Sequence, residues 1–307
     1  MFYKKIRIDR YLATKYGLSR AKVVKMIKAN SVFFKGIKIC SPSWLLNKSE
    51  GDYVTIDKTF LNNGQEKWEI TPTPIDINIV YEDNYLLIVN KPSGLLIHPT
   101  KYGEKETLAN GIANYFSKTK NVSVARSGIV HRLDRCTSGL VLIAKSTSIM
   151  EKLQKKIKNG EIKRFYLAIV TGNFAETCGS IEAMIGYHSR QKMKMKVNGI
   201  NAKKALTYFS VLCQNEQLAL ITCELTSGRT HQIRVHMSYI NHPILNDPLY
   251  NKNSDVYGQF LHAYKLKFIH PITETLIQIK QLPDETFQNK MKENNFLNTF
   301  KKMYEKI

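Results

Sequence analysis

The sequence predicts an α+β protein in two parts, and three observations carry that reading. Beyond about residue 75 the chain is rich in short apolar runs of strand type, with few stretches of helical spacing among them. At 307 residues it is too long for one typical domain and fits two. A polar stretch at 58–74, with Asn62-Asn63-Gly64, Pro72 and Pro74, sets a short basic N-terminal part apart from the rest and reads as a linker.

In the first part, residues 1–57, Asp9 to about Tyr16 reads as a short helix with Ile8, Leu12 and Ala13 on one side. Ser19 is placed as the N-cap of a second helix running to about Lys28. Val23, Val24 and Ile27 are expected inside, with Arg20, Lys22, Lys25 and Lys28 on the other faces. Strands are expected at Ser31–Lys35 and Tyr53–Ile56, with turns at Gly36 and Gly51-Asp52.

In the second part, strands are expected at Tyr85–Asn90, Ile129–Val130, Leu140–Lys145, Phe165–Thr171, Ala205–Leu212 and Leu218–Leu225. Several are apolar on both sides, as in a sheet covered on both faces. Ile149–Asn159 and Thr230–Ile240 read as helices, the latter with Ile233, Met237 and Ile240 on one stripe. After Pro283, Phe287, Met291, Phe300, Met303 or Tyr304, and Ile307 recur at near-helical spacing and predict a packed terminal helix. No internal repeat is found.

The formal charge is +21, from 46 basic and 25 acidic residues, and the apolar fraction is 43%. Such a chain can bury real cores and attracts polyanions. The abundance of Lys, Asn and Ile fits an AT-rich genome, so composition bias supplies part of the excess. Five scattered cysteines without a Cys-x-x-Cys pair argue against a disulfide framework and for a reducing compartment. No run reaches the about 18 to 20 apolar residues that span a bilayer. The basic N-terminus has no apolar signal core and its folded pattern starts by Ile6, so a cytoplasmic protein is expected.

The chemistry concentrates in His131-Arg132-Leu133-Asp134-Arg135-Cys136-Thr137-Ser138-Gly139-Leu140. One carboxylate stands between two guanidinium groups, on a loop leading into a buried strand. Arg132 and Arg135 are expected to keep it ionised and to aim it at something anionic. Three further segments stand out: Val89-Asn90-Lys91-Pro92-Ser93-Gly94-Leu95 with His98-Pro99, Arg164-Phe165-Tyr166-Leu167-Ala168, and Ser227-Gly228-Arg229-Thr230-His231-Gln232-Ile233-Arg234-Val235-His236. No zinc-type Cys/His cluster or Gly-rich phosphate loop occurs, and no second acid lies in these segments. A two-carboxylate glycosidase mechanism is therefore not supported.

In this order, with Leu261-His262-Ala263 after them, the four segments resemble the RluA-type family of RNA pseudouridine synthases over roughly residues 75–283. The N-terminal part, through Arg7-Ile8-Asp9, Ser19-Arg20, Val32, Gly36 and Gly51-Asp52, resembles the S-four-like RNA-binding module. The resemblance implies a mixed, mostly antiparallel central sheet with a catalytic cleft across it and a catalytic domain at 75–283, which leaves 284–307 as the helical extension read from its spacing. It implies an isomerase needing no metal and no cofactor, with RNA as partner; a monomer is the default expectation. It assigns the nucleophile to Asp134, a supporting salt bridge to Arg229 and the active-site aromatic to Tyr166. A carboxylate is ionised at pH 7 and needs no base to activate it.

A uridine within structured RNA must be flipped out, and Arg132 is the side chain expected to fill the gap. Lys91 is expected to touch RNA backbone, as are Arg20, Lys22, Lys25 and Lys28 of the first module. Leu142 and Ile233 are expected in the dry wall of the pocket. Ser227 stands where the family more often has Thr, and Asn241 and Asn246 where it often has Gly. Asn tolerates left-handed backbone angles, so those turns are expected to survive. The favoured substrate is large-subunit (23S) ribosomal RNA, by analogy with members that carry the module. A transfer-RNA substrate is the alternative enzyme reading, and a non-catalytic RNA-binding or ribosome-assembly factor the alternative of another class.

Overall fold

The computed structural model describes residues 5–16, 18, 20–57, 70–100, 104–119, 122, 124–191, 193–252, 254–255 and 257–306. The chain divides into two compact units, Met1–Glu69 and Ile70–Ile307. Ser19, and 58–69 of the expected linker, lie outside the described residues.

In the first unit, β1 (Lys5–Arg7), α1 (Ile8–Lys15), α2 (Arg20–Lys28), β2 (Val32–Phe34), β3 (Ile37–Lys38), β4 (Leu45–Asn47) and β5 (Val54–Ile56) follow in order. Strand β1 pairs with β4, and β2 lies between β3 and β5, all antiparallel. Lys35 (φ 50°) and Gly36 (φ 78°) form the two-residue β2–β3 turn, where two positive φ angles match the twist of the strands. The inward stripe of α2 is Val23, Met26 and Ile27. Val24, expected inside, is only half-buried, because positions i, i+3 and i+4 from Val23 define the apolar stripe. Asp9 is buried, and its carboxylate accepts hydrogen bonds from Arg7 at 3.0 Å and Arg20 at 2.8 Å. Burial works against its charge, and the two guanidinium groups hold its pKa below the usual carboxylate value. Arg20 is thus ion-paired yet half-exposed, while Lys25 and Lys28 are exposed and Lys22 half-buried.

The second unit is built on a nine-stranded sheet. Its strands are β6 (Asn78–Glu82), β7 (Leu86–Lys91), β8 (Ser138–Ala144), β9 (Lys163–Thr171), β10 (Cys178–Glu182), β14 (Leu206–Gln214), β15 (Leu218–Leu225), β16 (Leu261–Ile269) and β17 (Leu276–Lys280). The order is β10-β14-β15-β9-β16-β8-β7-β6, with β17 also on β16. Only β16 and β8 run parallel; every other neighbouring pair is antiparallel. Three short strands, β11 (Ile185–Tyr187), β12 (Met195–Val197) and β13 (Ile200–Lys203), form a separate antiparallel sheet. Helices α3 (Leu108–Ser117), α4 (Thr147–Lys158), α5 (Gln232–Tyr239), α6 (Glu285–Glu293) and α7 (Leu297–Lys306) complete the unit. This is the α+β class expected, with a mostly antiparallel mixed sheet.

The alternation of side chains along each strand sorts the apolar runs into two cores. Val141 and Ile143 of β8, Leu87 and Val89 of β7, and Tyr166, Ala168 and Val170 of β9 share one face with α3 and α5. Leu140, Leu142 and Ala144 point to the other face, under Ile149 and Leu153 of α4. Leu167, Ile169, Leu218 and Leu220 meet Phe287, Met291 and Phe300 of α6 and α7 there. The C-terminal stretch is therefore two helices covering the sheet where one was expected. The Asp284 carboxylate accepts the Phe287 N–H to start α6, and Asn295, at φ 61°, turns the chain into α7. Ile129–Val130, expected as a strand, makes a single bridge from Ile129 to Ile143. Asn241 and Asn246 both take φ 64°. Among the described residues, no helix is long and apolar enough to cross a membrane.

Candidate active site

Asp134 sits in the loop before β8, its carbonyl accepting the Thr137 N–H at 3.1 Å. Gly139 is needed just beyond: at φ 110°, a Cβ there would lie 2.3 Å from the Ala263 carbonyl oxygen, where β8 meets β16. A buried ammonium braces the loop from behind. Lys91 Nζ donates to the carbonyls of Pro92 (2.7 Å), Leu95 (2.8 Å) and Arg135 (2.9 Å). Lys91 is fully buried, so the expected contact with RNA backbone is corrected: its charge is spent inside the protein. Burial pulls its pKa down, to about 7. Three carbonyls match the three N–H donors of an ammonium, so this geometry favours the protonated form.

The sequence neighbours of Asp134 do not hold its charge. Arg132 is exposed at the pocket rim, and Arg135 donates through Nε to the Gly94 carbonyl. The ion-pair partner is Arg234, whose Nη1 lies 2.8 Å from Asp134 Oδ2. Arg234 is itself clamped by Asp247, with Nε to Oδ2 at 2.7 Å and Nη2 to Oδ1 at 2.8 Å. Burial works against the Arg234 charge, but the hydrogen bonds and charges of Asp247 and Asp134 outweigh it and drive its pKa up. Asp247 also accepts the N–H groups of Leu249 and Tyr250, so the clamp is fixed to the backbone.

Arg229, expected to make this salt bridge, instead donates through Nε to the Lys204 carbonyl at 3.0 Å and is exposed at the rim. The reason is local. His231 caps α5 in a left-handed conformation (φ 57°), so the chain turns between Arg229 and the first turn of the helix. Gln232 then pins the preceding loop: its Oε1 accepts from Ser227 Oγ and Arg229 N, and its Nε2 donates to Leu206 O and Thr207 Oγ1. Ser227 supplies the hydroxyl this requires. Arg234 stands between Ile233 and Val235 in a helix buried continuously from Gln232 to Met237, and a guanidinium drawn inward there needs an acid.

These groups open onto a pocket of about 400 Å³. Tyr166 of β9 lines it and is buried, and burial raises the pKa of its hydroxyl, which stays protonated. Arg164, two residues earlier on the same strand face, is buried and donates to the Ser227 carbonyl. His231 Nε2 lies 3.9 Å from Asp134 Oδ1. Burial lowers the His231 pKa despite that carboxylate, so its ring is neutral at pH 7. His131 accepts the Leu142 N–H, and burial and Arg164 push its pKa down to about 3. His262 is a scaffold residue, bonded to Ser138 Oγ and the Gln281 carbonyl. Leu133, Leu225, Ile233 and Leu261 give the apolar wall. Leu142, expected in it, packs on the opposite face of the sheet.

Asp134 is the one acid lining the pocket among the described residues. A single carboxylate in a cavity of this size, walled by apolar groups and rimmed by arginines, fits one nucleotide of an anionic polymer. The comparisons then give the class: residues 85–239 match the RNA pseudouridylate synthase family, and the chain belongs to that family. It is an isomerase acting on RNA. An uncharacterized RNA pseudouridine synthase of Mycoplasma pneumoniae is 40% identical over 295 residues, covering 93% of this chain and 91% of that protein. The ribosomal large subunit pseudouridine synthase D of Neisseria meningitidis serogroup B is 34% identical over 296 residues, covering 92% and 77%. Among solved structures, human RNA pseudouridylate synthase domain containing 1 superposes with a TM-score of 0.56 at 25% identity, covering 69% of this chain and 85% of that one.

Proposed function

We propose that this chain converts uridines of large-subunit ribosomal RNA to pseudouridine in the cytoplasm, with Asp134 as the nucleophile. The observation that carries the reading is the chain Asp247–Arg234–Asp134, which presents one carboxylate, held by a buried guanidinium, to a pocket with no second acid among the described residues. Asp134 engages the flipped uridine at the sugar or the base, and the bond between N1 and C1′ breaks. The base turns within the apolar wall, C5 bonds to C1′, and the C5 proton is lost as N1 gains one. Nothing is oxidised and no water is consumed, which a pocket lined by Leu133, Leu225, Ile233 and Leu261 favours.

Tyr166 supplies a ring for the uracil to stack on. As a phenol with a raised pKa it is unsuited to act as a free phenolate base. Arg132, exposed at the rim, fills the stack that the uridine leaves. The exposed Lys25 and Lys28, with Arg20 and Lys22, give the first unit a cationic helix for RNA backbone, as an S-four-like module would use it. Support for the substrate comes from relatives named as large-subunit synthases.

The test is pseudouridine mapping of total RNA from cells lacking the gene and complemented with wild type or Asp134→Asn. Loss of a large-subunit signal that only wild type restores is the expected result. A signal lost from transfer RNA instead would overturn the substrate, and restoration by Asp134→Asn would overturn the nucleophile.

A further inference from the structure

The strands β11–β13 lie outside the main sheet and are unlike the rest of the unit. From Ala183 to Lys204 the chain has six Lys or Arg and no Asp or Glu. Arg190, Lys196, Lys203 and Lys204 are exposed, and no ion pair to them occurs among the described residues. Large apolar side chains stand among them in solvent: Met193 is 79% exposed, Tyr187 56% and Ile200 54%. A hollow of about 430 Å³, lined by Gln191, Met193, Lys194, Pro248 and Leu249, opens on the same arm. Unopposed cations interleaved with exposed flat or flexible apolar groups suit a strand that offers phosphates and base faces together. An acidic protein surface would leave the apolar groups without that complement.

The arm is also fastened to the catalytic clamp. Its inner face packs Ile185, Met195 and Val197 on Val235, the neighbour of Arg234. Tyr250 makes the polar link. Its hydroxyl accepts the Met195 N–H at 2.8 Å, lies 3.2 Å from the Met195 carbonyl and is 3.0 Å from His231 Nδ1. Two cations lie over its ring, with Lys194 Nζ 5.1 Å and the Arg234 guanidinium 5.2 Å from the centroid. One side chain therefore touches the arm, the histidine beside Asp134 and the arginine that pairs with Asp134.

We propose that the β11–β13 arm is an RNA-docking surface for the strand next to the target uridine, and that Tyr250 is the positioning residue that ties its grip to the Asp134–Arg234 pair. The identity of the partner rests on the reading of the pocket given above. The Asp134→Asn chain, which separates binding from chemistry, is titrated with in vitro transcribed large-subunit rRNA at several salt concentrations. Arg190→Gln/Lys196→Gln/Lys203→Gln in that background should weaken binding about tenfold near 0.1 M salt and reduce the salt slope by about 2. Unchanged affinity and slope would overturn the docking surface and leave the arm to a protein partner or to solvent. Absence of pseudouridine formation by the wild type would count against the catalytic reading alone.

For Tyr250, hydrogen exchange on the RNA complex should show protection running from the arm into α5, and Tyr250→Phe should confine it to the arm. In the active chain the same variant should lower kcat about tenfold with KM unchanged, as a misplaced carboxylate would. Protection reaching α5 in the variant, or an unchanged kcat, would remove Tyr250 from the proposal.

Discussion

Asp9 of the first unit and Asp134 of the second are both carboxylates held by arginine, but the arrangements are inverted. At Asp9 the acid is the buried member, 1% exposed, and Arg7 and Arg20 are about half-exposed. At Asp134 the arginine is buried, 4% exposed, and the acid is the member that faces the opening, at 17%. A buried acid with exposed arginines fastens the start of one helix to the next and has no face left for a substrate. A buried arginine with an exposed acid keeps one carboxylate edge available, and its own cost of burial is met from behind by Asp247. The same ion pair thus serves as a fastener in one unit and, in the other, as the mount of the proposed nucleophile.

The sharpest way to break this comparison is Asp134→Asn. It should leave no measurable pseudouridine while the melting temperature changes little, because the side chain reaches the opening. A melting temperature that collapses would mean that Asp134 is a fastener too. Arg234→Gln comes next. It leaves Asp247 buried without its cation, which typically costs about 3 to 5 kcal/mol. Felt in the transition state, that is a loss of roughly 100- to 5000-fold in kcat/KM, with a clear fall in thermal stability. Arg229→Gln should cost less than about tenfold, since that side chain only meets the Lys204 carbonyl at the rim. If Arg229→Gln costs more than Arg234→Gln, the pairing seen here is not the one used in catalysis.

Asp9→Asn should have the smallest effect, about 1 kcal/mol in denaturant unfolding, because both arginines are solvated. Its pH dependence has a definite sign. The folded-state pKa lies below the ordinary 3.8, so this stabilisation is complete above that value and is lost as pH falls through the lowered one. The wild-type stability difference from Asp9→Asn should therefore shrink in acid; a difference that grows on acidification would contradict the ion pair.

The strands Leu140–Lys145, Phe165–Thr171 and Leu218–Leu225 were legible because each carries at least four consecutive apolar residues, which feed both faces of the sheet as a surface strand does not. The loop carboxylate was legible because an Asp among polar neighbours before such a strand must lie at the sheet edge. What holds Asp134 was not legible. Arg132 and Arg135 are adjacent in sequence but point elsewhere, while the true partner is 100 residues away. Lys91 misled for a related reason: sequence shows a charge and not its burial. Helix α3 was hidden by Gly111, which is poor in helix interiors but lies here against Ile75 and Ile77, with its hypothetical Cβ 3.2 and 3.0 Å from their side-chain atoms. Strands β10 to β13, β16 and β17 were missed because polar residues interrupt their periodicity and their pairing is set by distant neighbours.

The parallel pairing of β8 with β16 has a consequence in time. It joins Ser138 to His262 and Gly139 to Ala263, and the clamp on Asp134 needs Asp247 as well. During synthesis from the N-terminus, a chain that has already emerged through Ala144 holds the whole His131–Leu140 segment and still has no site. The first unit needs nothing beyond residue 69 for its internal contacts, so its cationic helix can be in place while some two hundred residues remain to be made. On the ribosome that makes it, this chain has its exposed helix cations in place before the loop of Asp134 has its partners.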